Sequence, residues 1–347
     1  MFLQEYTKDI DRTDTFAQSA NFETIPIIDI EGLFSNCLAD RKKVADALGN
    51  ACQNLGFFYI VNHRIPKCRI ARVYHVAEEF FRLPLERKSR YHISQYRHYR
   101  GYFGIGDLRA DLHEQLSSDL MEGYEISLEL PEDDPDYLAG NIIYGPNIWP
   151  DEPCDFRTVV YSYYESVLLL GRLLFKGLAL ALNLSENYFD DKIIKPMAQL
   201  ALLHYPPQPE PIDPKHIGIG AHTDPECFTI LTQNAPGLQI RNNLGQWIEV
   251  PPILDAFVIN IGDCMARWTN DRFVSTIHRV INLTGKSRFS VPFFFGVNSD
   301  TEIACLESCQ GSKQLPHYSP IQAGEWAVAN ITSFYSHPRT SSSALEN

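Results

Sequence analysis

His222, Thr223 and Asp224 set an imidazole and a carboxylate two positions apart. On an extended strand, positions i and i+2 point to one face, so both groups project into whatever that face encloses. His278 lies far downstream in another alternating stretch, Ser275-Thr276-Ile277-His278-Arg279-Val280. In a β-rich fold such a strand can return beside the first. Two imidazoles and a carboxylate on one side of a metal leave its other side open, the donor set of a non-haem iron(II) centre that activates O2. His222, Asp224 and His278 are therefore the candidate metal ligands and candidate catalytic residues. Plainer readings stand beside this one: His-x-Asp also arises by chance, and a single histidine such as His278 is often a hydrogen-bonded core residue.

Arg288, Phe289 and Ser290 repeat the i, i+2 arrangement with a guanidinium and a hydroxyl. Arg offers a planar fork that matches a carboxylate. Placed ten residues after His278, it can anchor an acid in the same cavity. Tyr205, seventeen residues before His222, can add a third hydrogen bond. Taken singly, Arg288 reads as a surface ion pair and Tyr205 as core packing. Taken with the triad, in this order, they read as the anchor of an acidic co-substrate.

Side chains so far apart in sequence need a sheet to hold them. After residue 197, short β-rich segments alternate with Pro, Gly and Asn turns: 199–205, 228–233, 237–241, 247–250, 257–261, 275–282 and 289–296. This spacing predicts a sandwich or jelly roll, with Asn243-Leu244-Gly245 and Asn270-Asp271 as hairpin tips. Upstream, Val44, Ala47, Leu48, Ala51 and Leu55 recur at helical spacing over 41–54, and Gly56 ends that helix. Further helices are expected at 70–81 and at 155–183; the second is apolar around much of its circumference and so buried on most sides. Short strands are expected at 25–30 and 57–61. The expected class is α+β, with a helix-rich N-terminal half packed against the jelly roll. The expected organisation is an arm at 1–24, an N-terminal region at 25–150, a jelly-roll region with its long helix at 151–335, and a flexible tail at 336–347.

Bulk properties exclude several functions. The chain has 347 residues, enough to bury a sizeable core. Its net charge of −13 repels phosphate backbones, so no nucleic-acid partner is expected. Eight cysteines form no Cys-x-x-Cys pair, which argues against structural zinc and for reduced thiols in the cytoplasm. The N-terminus lacks a signal-like apolar stretch, and no run is long enough to span a membrane. Nothing points to an obligatory protein partner; the expected partner is a small-molecule substrate. The aromatic residues Tyr102, Phe103, Phe228, Trp268 and Phe295 lie near the motifs and could line its pocket, although each could equally fill the core. Residues 91–107 and 322–335 could serve as lids over the site, or as plain surface connections.

The chain also resembles a known family over 25–335. The resemblance is carried by IPIIDI, ACQNLGFFYIVNH, FFRLPLERK, YRGYF, GPNIWP, HYPPQP, GIGAHTD, PGLQI, GQWIEVPP, INIGD, WTNDRFVSTIHRV and RFSVPFFF, in that order. It is similar to the iron(II)/2-oxoglutarate-dependent oxygenases of the isopenicillin-N-synthase-like branch. The resemblance implies a double-stranded β-helix (jelly-roll) core and iron(II) held by His222, Asp224 and His278. It implies that Arg288 and Ser290, assisted by Tyr205, hold the distal carboxylate of 2-oxoglutarate. With O2 as second co-substrate, 2-oxoglutarate would leave as succinate and CO2 while a small specialised metabolite is hydroxylated, desaturated or cyclised. Two alternatives remain at this point. An iron oxidase of the same fold keeps the Arg-x-Ser pair without using 2-oxoglutarate, although Thr223 fits the 2-oxoglutarate users better; a non-catalytic jelly-roll metal binder would not need the complete set. Two departures stand out: Arg64 replaces a glycine after Asn62-His63, so the local turn is expected to differ, and His204 precedes Tyr205.

Overall fold

A computed structural model describes residues 25–108, 119–208, 217–242, 244–310 and 315–334. The arm at 1–24 and the tail at 336–347 lie outside the described residues. The strands are β1 (Ile27–Asp29), β2 (Phe57–Val61), β3 (Gly101–Phe103), β4 (Glu122–Ser127), β5 (Ala198–Tyr205), β6 (Ile219–His222) and β7 (Phe228–Gln233). They continue as β8 (Leu238–Arg241), β9 (Trp247–Glu249), β10 (Phe257–Ile261), β11 (His278–Val280), β12 (Arg288–Phe295), β13 (Glu302–Ile303) and β14 (Ile321–Gln322). The helices are α1 (Leu38–Asn54), α2 (Lys67–Phe81), the short α3 (Leu85–Lys88) and α4 (Pro135–Leu138), α5 (Phe156–Ala181), α6 (Asp263–Trp268) and α7 (Ala323–Phe334).

Two sheets make the jelly roll. The larger has the order β1-β2-β10-β7-β12-β5-β4-β3, and the smaller β6-β11-β8-β9. Only β1 and β2 run parallel within the larger sheet. Strands β1 to β4 come from the N-terminal region, so both halves of the chain share one sheet.

Strand parity sorts the side chains. On β5, Ala198, Leu200 and Leu202 belong to one apolar cluster with α1, α2 and α5, while Ala201, Leu203 and Tyr205 belong to a second cluster between the sheets. On β12, Phe289, Val291, Phe293 and Phe295 face the helices. Arg288, Ser290 and Phe294 therefore face the space between the sheets. The long helix α5 fits because its apolar residues run nearly all round: Val160, Tyr164, Val167, Phe175 and Leu178 are buried, and Leu169 marks the exposed side.

Several elements differ from the sequence expectation. Helix α1 starts earlier, at Leu38, and turns Ala47 to solvent while Ala45 and Cys52 are buried instead. It stops at Gly56, whose φ is +68° and where a Cβ would meet the Val274 carbonyl oxygen at 1.9 Å, so only glycine fits. The strand expected at 275–282 contracts to β11. Asn270 and Asp271 both have positive φ, but they close α6 rather than tip a hairpin. Arg64 also adopts positive φ, 62°, so the turn keeps its left-handed residue without a glycine. Its guanidinium lies over the Phe34 ring at 4.0 Å and pairs with Glu31.

Candidate metal centre

His222 ends β6 and faces His278 on β11 across an antiparallel pair, which brings the two rings within 4.3 Å. Asp224 lies beyond the end of β6, so the strand geometry assumed for His-x-Asp applies only to its first residue. The carboxylate still turns inward because Asp263 N–H donates to the Asp224 carbonyl at 2.7 Å, fixing the loop against the start of α6. Gly262 permits that approach: a Cβ there would meet the Glu226 carbonyl oxygen at 2.3 Å and that of Asp224 at 2.7 Å. One ligand atom from each of His222, Asp224 and His278 lies within 4.8 Å of the others, close enough to share one ion.

The hydrogen bonds orient all three. His222 Nδ1–H donates to the Gly220 carbonyl at 2.8 Å, and His278 Nδ1–H to the Thr276 carbonyl at 3.1 Å. Each ring therefore turns Nε2 inward, and both Nε2 atoms point at Asp224 Oδ1, at 3.6 and 3.5 Å. Asp224 Oδ2 accepts from Asn260 Nδ2 at 2.6 Å and from the Thr229 hydroxyl. Oδ2 is thus engaged by the protein, and Oδ1 is left for a metal. Phe57 packs edge-on against His278 at 5.4 Å and limits its rotation. Burial alone would raise the Asp224 carboxyl, but the imidazoles of His278 and His222 and the Thr229 hydroxyl hold it well below the usual carboxylate range. Burial likewise works against protonating His278, and the Asp224 carboxylate outweighs it. A charge-neutralising dication fits such a set, with two neutral imidazoles and one anionic oxygen.

The second group lies on β12. Arg288 pairs with Tyr205 of β5, and its guanidinium sits over the Tyr205 ring at 4.7 Å. It is fully buried, with Nη2 donating to Gln233 Oε1 at 2.7 Å and Nε to the Ala235 carbonyl at 3.2 Å. Nη1 is buried and meets no hydrogen-bond partner among the described residues. Ser290 Oγ donates to the Tyr205 hydroxyl at 3.5 Å, on the same pair of strands. A buried cationic nitrogen without a partner, beside two hydroxyls, is a site that a carboxylate completes.

A cavity opens beside the first group. His222 and Asp224 line it, with Phe103, Met121, Leu203, Ile219 and Phe294 forming an apolar wall. Asp119, Glu125, Gln199 and Glu226 form a polar side. Burial, and then the nearby Asp224 carboxylate, push the Glu226 carboxyl up to about 8.

Of the aromatic residues expected here, Phe103 lines the cavity and four do not. Phe228 and Phe295 pack on Phe175 of α5, and Trp268 packs on Phe189. Tyr102 donates to Glu122 at 2.7 Å on the helix side of the sheet. The reason is parity: Phe295 and Phe294 are neighbours on one strand and so face opposite sides, and nearness to a motif does not say which. Phe294, Thr229, Gln233 and Asn260 were the residues to look for, since polar groups at the inward positions of otherwise apolar strands mark the site. Of the two lid candidates, 91–107 reaches the cavity through Phe103, and 322–335 through Ile331 of α7 together with Phe334.

Comparison with known proteins agrees with this geometry. Residues 25–152 match the family described as non-haem dioxygenase in morphine synthesis, N-terminal, and residues 196–297 match the 2OG-Fe(II) oxygenase superfamily. The chain is 39% identical over 303 residues to the 2-oxoglutarate-Fe(II) type oxidoreductase hxnY of Emericella nidulans, covering 85% of this chain and 86% of that protein. It is 33% identical over 314 residues to homoarginine-6-hydroxylase of Arabidopsis thaliana, covering 84% and 90%. The crystal structure of full-length Neurospora crassa T7H in complex with alpha-KG superposes with a TM-score of 0.78 at 27% identity, covering 89% of this chain and 96% of that one. These relatives set aside both the oxidase without 2-oxoglutarate and the non-catalytic metal binder. The chain belongs to the 2OG-Fe(II) oxygenase superfamily and is an iron(II)- and 2-oxoglutarate-dependent dioxygenase.

Proposed function

We propose that His222, Asp224 and His278 hold the iron, that Arg288, Ser290 and Tyr205 hold the distal carboxylate of 2-oxoglutarate, and that Phe103 contacts the organic substrate. The observation that carries this reading is the partnerless Nη1 of a fully buried arginine on the inward face of the sheet that carries the cavity wall. An uncompensated buried cation is costly unless a ligand neutralises it. Bound iron(II) supplies the redox chemistry by which O2 oxidises 2-oxoglutarate to succinate and CO2 and a substrate C–H bond is oxidised.

The chain's own residues do the positioning. Gly220 and Thr276 carbonyls fix the imidazole tautomers, and Asn260 and Thr229 fix the carboxylate rotamer. Arg288 and the two hydroxyls set the direction from which the co-substrate reaches the metal. Phe103, Met121, Leu203, Ile219 and Phe294 exclude water from the reacting centre. Residues 25–150 and 151–335 act as one unit, because strands of the first complete the sheet of the second. All eight cysteines are free, which supports a cytoplasmic, reducing location, and no helix among the described residues is long and apolar enough to cross a membrane. The net charge of −13 supports a small molecule rather than nucleic acid as the substrate.

The test is Asp224→Ala, His222→Ala and His278→Ala, each assayed for iron(II) binding without O2 and for succinate formation with it. Each variant should keep its fold and lose both. Wild-type turnover in Asp224→Ala would remove the assignment, since two ligands would remain.

A further inference from the structure

Gln233 is a buried polar residue that ends β7, and the metal centre makes no use of it. Its strand lies beside β12, with Gln233 opposite Ser290. Thr229 and Leu231, at the same parity on β7, face the space between the sheets: Thr229 bonds Asp224, and Leu231 belongs to the apolar cluster there. Gln233 therefore faces that space as well. Two bonds fix its amide. Nε2 donates to the Val250 carbonyl at 2.6 Å, and Oε1 accepts from Arg288 Nη2 at 2.7 Å. Val250 is itself held, its N–H donating to the Leu238 carbonyl at 2.8 Å. A carbonyl only accepts and a guanidinium only donates, so the amide sits one way round. Glutamate would accept from Arg288 but carries no hydrogen for Val250, and lysine has the opposite defect.

Charge matters here as much as geometry. Arg288 Nε donates to the Ala235 carbonyl at 3.2 Å, so both bonded nitrogens meet neutral oxygens. Among the described residues no carboxylate pairs with this fully buried guanidinium. The Glu249 carboxylate influences it only from beyond ion-pair distance, and accepts instead from Gln239 Nε2 at 3.0 Å. A buried arginine ordinarily pairs with an acid of its own protein. In this fold, amide and peptide dipoles hold the cation in place and leave its charge uncompensated.

We propose that Gln233 determines co-substrate specificity: by holding the Arg288 guanidinium with a neutral oxygen, it reserves the positive charge for the distal carboxylate of 2-oxoglutarate, and so makes the site select 2-oxo diacids over 2-oxo monoacids. This rests on the reading of Arg288 as the co-substrate anchor. Gln233 is a positioning residue: it acts through Arg288, and no bond is made or broken at it. A carboxylate at this position would form the ion pair itself, and an incoming diacid would then meet a neutral pair and a second negative charge. A monoacid with a methyl group in place of the distal carboxylate loses nothing by that change.

The experiment uses the full chain loaded with iron(II) without O2. The probes are 2-oxoglutarate and 2-oxopentanoate, which has the same chain length but ends in a methyl group, with dissociation constants from equilibrium dialysis. The wild type should bind the diacid about tenfold or more tightly than the monoacid, as expected for hydrogen bonds to a charged group. Gln233→Glu should bring the ratio close to one by weakening the diacid alone, with iron(II) affinity retained as evidence that the fold and metal site are intact. A wild-type ratio that survives in Gln233→Glu overturns the proposal. So does equal weakening of both acids, the result expected if Gln233 only packs. If Gln233→Glu does not fold, Gln233→Met decides, since it keeps the length and loses both hydrogen bonds: a lower ratio supports the proposal and an unchanged one overturns it. No diacid preference in the wild type overturns the Arg288 anchor reading and this proposal with it; a wild-type preference indifferent to residue 233 overturns this proposal alone.

Discussion

Asn260→Leu removes one hydrogen bond from Asp224 while keeping the number and branching of side-chain heavy atoms, and it tests whether the metal is held by the geometry described. Asn260 is buried on β10 and donates to Asp224 Oδ2 at 2.6 Å; the Thr229 hydroxyl is the other donor to the same oxygen. A hydrogen bond to a charged group contributes about 1.5–3 kcal/mol. Partners of metal ligands are typically worth about 10- to 100-fold in metal affinity. Both figures give the same expectation: iron(II) affinity falls about 10- to 100-fold in Asn260→Leu, and saturating iron restores most of the turnover. Thr229→Val should do the same. The double variant should lose more than the product of the two, because either surviving bond still fixes the carboxylate rotamer and only removal of both frees it. The assay is anaerobic titration with iron(II) on each single variant and the double variant, with thermal unfolding of the metal-free proteins as a control for general damage. If Asn260→Leu binds iron like the wild type and loses only thermal stability, Asn260 is a packing residue and the account of how Asp224 is positioned is wrong.

Four further outcomes follow. Arg288→Lys keeps the charge but loses the planar fork, so the half-saturating 2-oxoglutarate concentration, read from the visible band, should rise by about tenfold or more; an Arg288→Ala enzyme with unchanged 2-oxoglutarate dependence would place the acid elsewhere. Phe295→Ala opens a hole against Phe175 and should cost about 3–5 kcal/mol of stability in denaturant unfolding, whereas Phe294→Ala should alter substrate binding with a far smaller stability loss; the reverse ranking would contradict the parity assignment. Burial would raise Glu122, but His204, Lys88 and Tyr102 hold it below the usual range, so its contribution is present above the unfolded value of about 4.3 and is lost as pH falls through the folded one; Glu122→Gln should flatten wild-type acid unfolding in that window, and an unchanged profile would count against the network. Truncation after Pro320 removes Ile331 and Phe334 from the cavity wall and should release succinate without matching product; equal yields would deny α7 a lid role.

Much of the site is legible in the sequence because strands have a period of two. Arg288 and Ser290 can be placed on one face without any structure, and His278 within an alternating stretch invites pairing with His222. The same rule, not carried far enough, leads Phe295 into the pocket and overlooks Phe294. The partners of Asp224 are harder to see: Thr229 and Asn260 sit on two separate strands, and their convergence depends on the sheet order β10-β7-β12, which local pattern does not specify. Helix α6 is six residues long and escapes detection by periodicity, and α7 supplies a cavity wall from a segment that is apolar in composition but gathers its apolar residues only weakly on one face. Arg64 shows a different limit. It adopts a left-handed backbone, and its side chain meets Glu31 and Phe34, which lie more than a helix away in sequence.

The most direct test of the central claim is to add 2-oxoglutarate to the iron(II)-loaded protein without O2 and record the visible spectrum, for the wild type and for Asp224→Ala. The wild type should develop a weak visible band that saturates with one 2-oxoglutarate per iron, and Asp224→Ala should develop none. Iron binding in the wild type with no band at any 2-oxoglutarate concentration, or an undiminished band in Asp224→Ala, would contradict the assignment of His222, Asp224 and His278 as the centre at which 2-oxoglutarate is oxidised.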